Sequence, residues 1–116
     1  MSDTSKLPSS VLFACTMNSI RSAMAEGILK KLHGDRIYVD SAGARAGEPN
    51  GFMIEVMAEI DIDLSNHQPK TFDSLDDTSF DMIISLSPEA QHAAVELTRW
   101  MSCEVVYWPT FDPDAI

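Results

Sequence analysis

The stretch VLFACTMNSIRSAMAEGILKKL, from Val11 to Leu32, decides the fold class that the sequence predicts. It opens on Val11–Ala14, a continuous apolar run of the kind found in central parallel strands that are covered on both faces. Apolar residues then recur at helical spacing over Ala23–Leu32. The turn between this strand and this helix carries Cys15 and Arg21, a nucleophilic sulfur and an anion-binding guanidinium.

The rest of the chain continues the alternation of strands and helices. We predict a strand at Ile37–Val39, a helix at about Gly51–Ile60, a strand at Phe80–Leu86, a helix from Ser87 to about Trp100 and a strand at Glu104–Trp108. This order implies right-handed crossovers, so the predicted fold is α/β with three layers. A four-stranded parallel sheet in the order 2-1-3-4 forms the middle layer, and helices cover both of its faces. Phe52, Val56 and Ile60 are expected on one face of the second helix. Met53 and Met57 are expected in the core or in a cleft, and Tyr107 and Trp108 in the core.

Composition limits the classes of partner. The chain has 116 residues, of which 45% are hydrophobic, enough for one small globular domain without disulfides or metals. We predict that residues 1–10 form a flexible N-terminal arm and residues 11–116 a single domain. The net charge of −10 argues against nucleic acid and membrane surfaces as partners, because both attract basic faces. The two cysteines form no disulfide framework, which fits a reducing compartment. The sequence also has no apolar run of membrane-spanning length and no signal-peptide core, so we expect a cytoplasmic protein.

The Cys15–Arg21 turn has the chemistry of an anion site. Backbone N–H groups and the helix dipole attract anions where a helix begins after a parallel strand. They also favour the thiolate form of a cysteine held there, and an arginine on the same turn can bind two oxygens of a phosphate-like dianion. Cys15 is therefore a candidate nucleophile for phosphoryl transfer. The spacing alone leaves open the alternative of a buried structural cysteine beside an ion-paired arginine.

Asp112 follows the fourth predicted strand, as Cys15 follows the first. Because ligands of parallel sheets bind beyond the carboxyl ends of the strands, we expect these two loops to meet at one edge of the sheet. In the pair Asp112-Pro113, the aspartate is either a turn former or, at that edge, a candidate general acid.

Several segments, in the same order, resemble the low-molecular-weight protein tyrosine phosphatases. VLFACTMNSIRSAMAEGIL resembles the family's signature, whose loop usually reads C-x-G-N-x-C-R-S-P. The later matching segments are DSAG at 40–43, DIDLSNHQPK at 61–70, FDMIISLS at 80–87 and YWPTFDPD at 107–114. The resemblance covers nearly the whole chain from Val11 onward and implies the phosphotyrosine phosphatase I-like fold.

The resemblance implies phosphomonoester hydrolysis, in particular by a protein-tyrosine phosphatase. Cys15 is then the nucleophile that forms a cysteinyl-phosphate, Arg21 binds the phosphoryl group, and Asp112 protonates the leaving oxygen before activating the hydrolytic water. The other residues of the implied phosphate-binding loop are Thr16, Met17, Asn18, Ser19, Ile20 and Ser22. Ser41 and His67 would support that loop, in a hydrogen-bond network that also includes Asn18 and Ser22. The implied substrate is a phosphorylated protein or a small phosphomonoester, with no metal and no cofactor.

The chain departs from the family pattern in ways that bear on substrate choice. Met17 stands at the usual loop glycine, and Ile20 replaces a second cysteine, so a vicinal disulfide cannot form in the loop. Asp114 and Ala115 stand where many members that act on phosphotyrosine place two tyrosines. Because the sequence ends at Ile116, we expect the family's last helix to be absent.

Three other readings stay open at this stage. The thioredoxin-coupled arsenate reductases share the fold and the C-T-x-N-S-x-R-S loop, but they need two further cysteines, and Cys103 alone stands outside the loop. A phosphocarrier domain would also bear a cysteine after its first strand, yet it would have no need of Arg21 or Asp112. A phosphate-sensing module could keep the fold without turnover.

Overall fold

The computed structural model describes residues 8–18, 20–75, 79–99 and 103–108. Strands and helices alternate along these residues, as the sequence predicts. In chain order they are β1 (Ser10–Cys15), α1 (Arg21–His33), β2 (Tyr38–Gly43), α2 (Gly51–Ala58), β3 (Met82–Ser85), α3 (Pro88–Leu97) and β4 (Glu104–Tyr107). A short 3-10 turn at Phe72–Ser74 lies between α2 and β3. Within the described ranges, no helix is both long and apolar enough to cross a membrane.

The strands form one parallel sheet in the order β2-β1-β3-β4, which confirms the predicted topology. β1 begins at Ser10, one residue earlier than expected, and pairs with β2 on one side and β3 on the other. Its last residue, Cys15, pairs with Gly43 at the carboxyl edge of the sheet. The candidate nucleophile therefore occupies the edge where parallel sheets bind their ligands.

Apolar clusters cover both faces of the sheet. Successive residues of β1 divide between them, because neighbouring side chains on a strand point to opposite faces. Val11, Phe13 and Cys15 belong to the cluster that α1 covers. Leu12 and Ala14 belong to the cluster that α3 covers. This double cover explains why the Val11–Ala14 run is apolar without interruption.

α1 packs through small residues rather than through its longest apolar side chains. Ala23 and Gly27 are buried, whereas Leu32 is 64% exposed. A Cβ atom at Gly27 would lie 3.0 Å from the Ile62 side chain, so a larger residue there would require the 61–64 segment to shift. This close approach fixes the position of α1, whose first turn follows the cysteine loop.

α2 packs through the two methionines that were expected in the core or in a cleft, and not through the face that carries Phe52, Val56 and Ile60. The buried side chains are those of Met53 and Met57, while Phe52 is 77% exposed and Ile60 is exposed as well. One position on a helix is a rotation of about 100°, so a shift of one residue turns a different face inward. Periodicity is ambiguous here because apolar residues occur on both faces of this helix.

The prediction that Tyr107 and Trp108 lie in the core is also wrong. Both side chains are exposed. Among the residues that the structure describes, β4 pairs with β3 and with no other strand, so its last residues have a neighbouring strand on one side.

α3 begins as predicted, with a serine N-cap and a proline in the first turn. The Ser87 hydroxyl accepts a hydrogen bond from the Ala90 N–H at 3.2 Å. The helix ends at Leu97, earlier than expected, and the Thr98 hydroxyl donates to the carbonyl four residues back at 2.9 Å. Trp100, where the helix was expected to end, lies outside the described residues.

Candidate active site

The Cys15 sulfur is buried and held by two neighbours at the carboxyl end of β1. Its Sγ lies 2.9 Å from the Ser22 Oγ. The backbone N–H of Asn18 donates to the same sulfur at 3.2 Å. α1 begins six residues after the cysteine, at Arg21, so the loop lies at the positive end of a helix dipole.

The backbone carbonyls of the loop turn outward. Those of Cys15, Thr16 and Met17 accept hydrogen bonds from the N–H groups of residues 44, 45 and 47, at 3.1, 2.8 and 2.9 Å. In a trans peptide, the N–H points opposite to the carbonyl of the same peptide unit. The N–H groups of Thr16, Met17 and Asn18 therefore turn inward, away from residues 44–47, and that of Asn18 reaches the Cys15 sulfur. Inward N–H groups at the start of a helix are an arrangement that binds anions.

Asn18 is the buried centre of a side-chain network. Its backbone has a left-handed φ of 57°, a conformation that asparagine tolerates better than most residues. Its Nδ2 donates to the Ser22 Oγ at 2.8 Å and to the Ser41 Oγ at 2.9 Å. Its Oδ1 accepts the Lys70 backbone N–H at 3.0 Å. One side chain thus ties the loop to α1, to β2 and to the 67–71 segment.

His67 and Lys70 hold the outer side of that network. The His67 Nε2 lies 2.7 Å from the Asn18 carbonyl oxygen, so the ring contacts the loop backbone. The Lys70 Nζ forms an ion pair with the Asp40 Oδ1 at 2.6 Å. The four side chains predicted to support the loop (Asn18, Ser22, Ser41 and His67) are therefore in one place.

Gly43 lets the loop pass close to β2. A Cβ atom there would lie 2.6 Å from the Arg45 carbonyl oxygen, 2.8 Å from the Asn18 nitrogen and 2.9 Å from the Thr16 oxygen. All three are backbone atoms, which cannot move aside cheaply. The glycine of the DSAG segment is therefore required by the loop that it faces.

Arg21 and Thr16 connect the loop to the corner between β3 and α3. The Arg21 Nη1 donates to the Leu86 carbonyl at 2.9 Å. The Thr16 Oγ1 donates to the Ser87 Oγ at 3.0 Å, and Ser87 also caps α3. These bonds fix two loop side chains against a neighbouring element before any ligand arrives.

The remaining predicted site residues differ in placement. Met17 is exposed at the surface of the loop. Ile20 is the N-cap of α1, makes no side-chain cap, and packs with Met53 of α2. Ser19 and Asp112 lie outside the described residues. β4, the strand that leads toward Asp112, ends at the same sheet edge as Cys15.

The sequence analysis gave no role at this site to Glu26, whose Oε1 accepts the Ser41 hydroxyl at 2.5 Å. Asp40, Gly43 and Lys70 also contact the site, and the sequence analysis noted them only as members of matching segments. Glu26 lies on α1 four positions after Ser22, which places both residues on one face of the helix. That spacing was the available sequence indication.

Cys103 lies at the opposite edge of the sheet from Cys15. It precedes Glu104, which is in register with Met82 of β3 and, through it, with Val11 of β1. The separation is about five residues along the strands, or about 16 Å, and two strands across. A disulfide needs Cα atoms within about 7 Å, so this fold cannot join the two cysteines. Burial raises the pKa of the Cys103 thiol, and two nearby carboxylates add to the effect.

A cleft lies behind the loop rather than at the sulfur. It has a volume of about 410 Å³ and is lined by Glu26, Lys30, Asp63, Leu64, Asn66, His67, Gln68 and Lys70. Neither Cys15 nor Arg21 lines it. We therefore locate the candidate active site by the donors around the sulfur and not by the volume of this cleft.

Comparison with known proteins agrees with the geometry. A family model described as low molecular weight phosphotyrosine protein phosphatase matches residues 10–116. An arsenate reductase 2 of Staphylococcus haemolyticus is 40% identical over 82 residues, which are 71% of this chain and 63% of that protein. The chain thus spans less than two thirds of the length of that relative.

Two solved structures share the fold at 30% sequence identity. One is an arsenate reductase in the phosphate binding state, with a TM-score of 0.72 over 91% of this chain and 79% of that one. The other is a Drosophila arginine phosphatase, with a TM-score of 0.70 over 84% and 69% of the two chains.

The fold and the site define an α/β protein with a buried cysteine in the loop between the first parallel strand and the first helix. The chain belongs to the low-molecular-weight phosphotyrosine protein phosphatase family. The proteins that it is similar to include both phosphatases and arsenate reductases.

Proposed function

We propose that the chain is an enzyme in which Cys15 attacks a tetrahedral oxyanion bound in the Cys15–Arg21 loop. The observation that carries the proposal is the buried sulfur, which Asn18 and Ser22 contact where the loop N–H groups turn inward. Arg21 adds a fixed positive charge on the first turn of α1. Such an arrangement neutralises an anion and presents a nucleophile to its central atom.

The first candidate reaction is hydrolysis of a phosphomonoester. The Cys15 thiolate attacks phosphorus, the bond to the leaving oxygen breaks, and Asp112 protonates that oxygen. Water, deprotonated by Asp112, then attacks the cysteinyl-phosphate, which releases phosphate and the thiolate. Ser22 assists this second step because its hydroxyl lies within hydrogen-bond distance of the departing sulfur. A phosphorylated protein, with phosphotyrosine as the finer assignment, is the proposed substrate.

The second candidate reaction is arsenate reduction, which the names of the relatives favour over hydrolysis of phosphotyrosine. Cys15 would displace hydroxide from arsenate and form a sulfur–arsenic bond. A second thiolate then attacks the Cys15 sulfur, the bonding electron pair passes to arsenic, and arsenite leaves as a disulfide forms. Cys103 lies too far away to provide that thiolate, so the thiol must come from outside residues 1–116.

Two kinds of observation therefore point in different directions. The geometry supports hydrolysis best, since that reaction needs one cysteine, and Cys15 is the one cysteine of the chain at the site. The names of similar proteins support arsenate reduction with an external thiol. In both reactions Cys15 is the nucleophile. The proposed cellular location of the protein is the cytoplasm.

One experiment separates the two reactions. The purified chain is assayed with p-nitrophenyl phosphate, and separately with arsenate in the presence of glutathione, thioredoxin or glutaredoxin. Cys15→Ser serves as the inactive control in each assay, and Cys103→Ser as the matched control at the other cysteine. We expect hydrolysis by the wild type and by Cys103→Ser, and none by Cys15→Ser.

Other outcomes of this experiment contradict the proposal in distinct ways. Arsenite production with no phosphate release would replace hydrolysis by arsenate reduction. Binding of a phosphate analogue without turnover in either assay would identify a phosphate-sensing module. Activity that survives Cys15→Ser would remove Cys15 from the mechanism altogether.

A further inference from the structure

An apolar pocket lies beside the cysteine loop, where α1 and α2 begin. It has a volume of about 160 Å³ and is lined by Ile20, Met24, Asn50, Phe52, Met53 and Val56. Asn50 is the polar member of this lining, and its Oδ1 accepts the Met53 N–H at 2.8 Å as the N-cap of α2. The pocket therefore offers apolar surface to a ligand, and the proposed chemistry at Cys15 does not use it.

The size of the pocket suits a single apolar side chain. A cavity of about 150 Å³ that is lined by apolar side chains is large enough to bind benzene. This pocket has a similar volume, so a side chain of the size of leucine or phenylalanine can fill it. Phe52 lines the pocket and is nevertheless 77% exposed. A large exposed aromatic at the edge of an apolar pocket is typical of a binding surface.

Acidic side chains border the pocket on the solvent side. Phe52 and Val56 lie one turn apart on α2 and both line the pocket. At about 100° of rotation per residue, Glu55 and Glu59 lie about 60° and 20° from Phe52, on the side away from Val56. Glu48 precedes the N-cap of the same helix by two residues. We call these three exposed acids the acidic rim, and none of them forms an ion pair within the described part of the chain.

The pocket adjoins the anion-binding loop. Ile20 packs against Met53 of α2, and the next residue, Arg21, is the cation of the loop. The Cα atoms of these two neighbours are about 3.8 Å apart. An extended peptide covers about 3.3 Å per residue, so a peptide bound at the loop can reach the pocket within about three residues.

We propose that this pocket is a substrate subsite, which binds a large apolar side chain within about three residues of the phosphorylated residue. The acidic rim then favours a lysine or arginine next to that apolar residue. Opposite charges attract such a peptide to a chain whose net charge is −10. The inference rests on the proposed function, since it assigns a substrate class to the same site: phosphoproteins with an apolar and a basic residue beside the phosphorylated one.

The first test measures binding, so it does not depend on turnover. Fluorescent phosphotyrosine peptides with a serine and glycine background are titrated with Cys15→Ser, and leucine is placed in turn at the nearest three or so positions on each side. At one of these positions leucine should lower Kd by about tenfold relative to serine, because it buries an apolar side chain. A lysine next to that leucine should lower Kd by about a further threefold, and this gain should disappear in about 1 M NaCl.

Matched variants locate the source of the leucine preference. In the same Cys15→Ser background, Phe52→Ser should reduce the ratio of the two Kd values to less than about twofold. Leu32→Ser changes an exposed leucine of α1 that does not line the pocket, and it should keep the ratio. Because each result compares two peptides on one protein, a smaller folded fraction affects both and cancels.

A second pair of variants tests the acidic rim. Glu55→Gln combined with Glu59→Gln should abolish the gain from lysine and keep the gain from leucine. Asp35→Asn combined with Glu104→Gln makes the same change in net charge at exposed positions on the opposite edge of the sheet, and it should keep both gains.

The remaining outcomes contradict the proposal or the function on which it rests. The subsite is refuted if no leucine position lowers Kd by more than about twofold, or if the preference survives Phe52→Ser. A dimer of the free protein that Phe52→Ser dissociates in analytical ultracentrifugation would assign the pocket to a second copy of the chain instead. A leucine preference in binding, with no hydrolysis of any peptide or of p-nitrophenyl phosphate by the wild type, would overturn the proposed function and leave the subsite standing.

Discussion

Replacing Asn18 by alanine should destabilise the protein by about 2–5 kcal/mol, the sum of two separate costs. The first is backbone strain, because a φ of 57° costs a residue such as alanine about 1–2 kcal/mol. The second is the loss of an acceptor for the Lys70 N–H, which costs about 1–3 kcal/mol when the donor is shielded from water. The Ser22 and Ser41 hydroxyls each keep another partner, so their loss adds little.

Two further variants separate these costs in chemical denaturation. Asn18→Gly removes the same hydrogen bonds, but glycine adopts the left-handed conformation without strain. The larger backbone entropy that glycine loses on folding offsets part of this gain, so Asn18→Gly should be less destabilising than Asn18→Ala by up to about 1 kcal/mol. Asn66→Ala changes an exposed asparagine and should stay within about 0.5 kcal/mol of the wild type. The reasoning fails if Asn18→Ala unfolds at the wild-type denaturant concentration, or if glycine proves the worse replacement.

Three other predictions concern the reaction and the second cysteine. Arg21→Lys should lower kcat/KM for p-nitrophenyl phosphate by about 10²-fold or more, because a point charge does not reproduce a planar fork; near wild-type kinetics would contradict the assignment. Asp112→Asn should slow hydrolysis of phenyl phosphate by about 10²–10⁴-fold and that of p-nitrophenyl phosphate less, since the better leaving group needs less protonation; equal losses would exclude a general acid. The raised pKa of Cys103 leaves less thiolate at pH 8, so iodoacetamide should label it more slowly than glutathione in the same buffer, and faster labelling would refute that environment.

The fold was predictable because short stretches of the sequence determine how distant parts of the chain pack. The uninterrupted apolar run at Val11–Ala14 required cover on both faces, and alternating elements then required parallel pairing. The packed face of α2 was not predictable in the same way. Phe52 and Met53 are adjacent and both apolar, and only the approach of the 61–64 segment and α1 selects which one is buried.

The same division applies to the site. The strand-to-helix turn with Cys15 and Arg21 was visible because both residues sit on one local element. Glu26 was not, since its importance comes from the Ser41 hydroxyl on β2, a contact between residues distant in sequence. Gly43 could be noted as part of the DSAG segment. The need for glycine there comes from the loop backbone, which lies within 3 Å of where a Cβ atom would be, and that contact is between residues distant in sequence.

The central claim, that Cys15 is the nucleophile toward a bound oxyanion, is tested most directly by trapping its adduct. The wild-type chain is mixed with p-nitrophenyl phosphate, quenched in acid within the first turnovers, digested and analysed by mass spectrometry, with Cys15→Ser as the control. The account predicts one phosphoryl group on Cys15 and none on Cys103, and no adduct in the control. Rapid hydrolysis with Cys15 unmodified at every quench time, or a phosphoryl group on another residue, would contradict it.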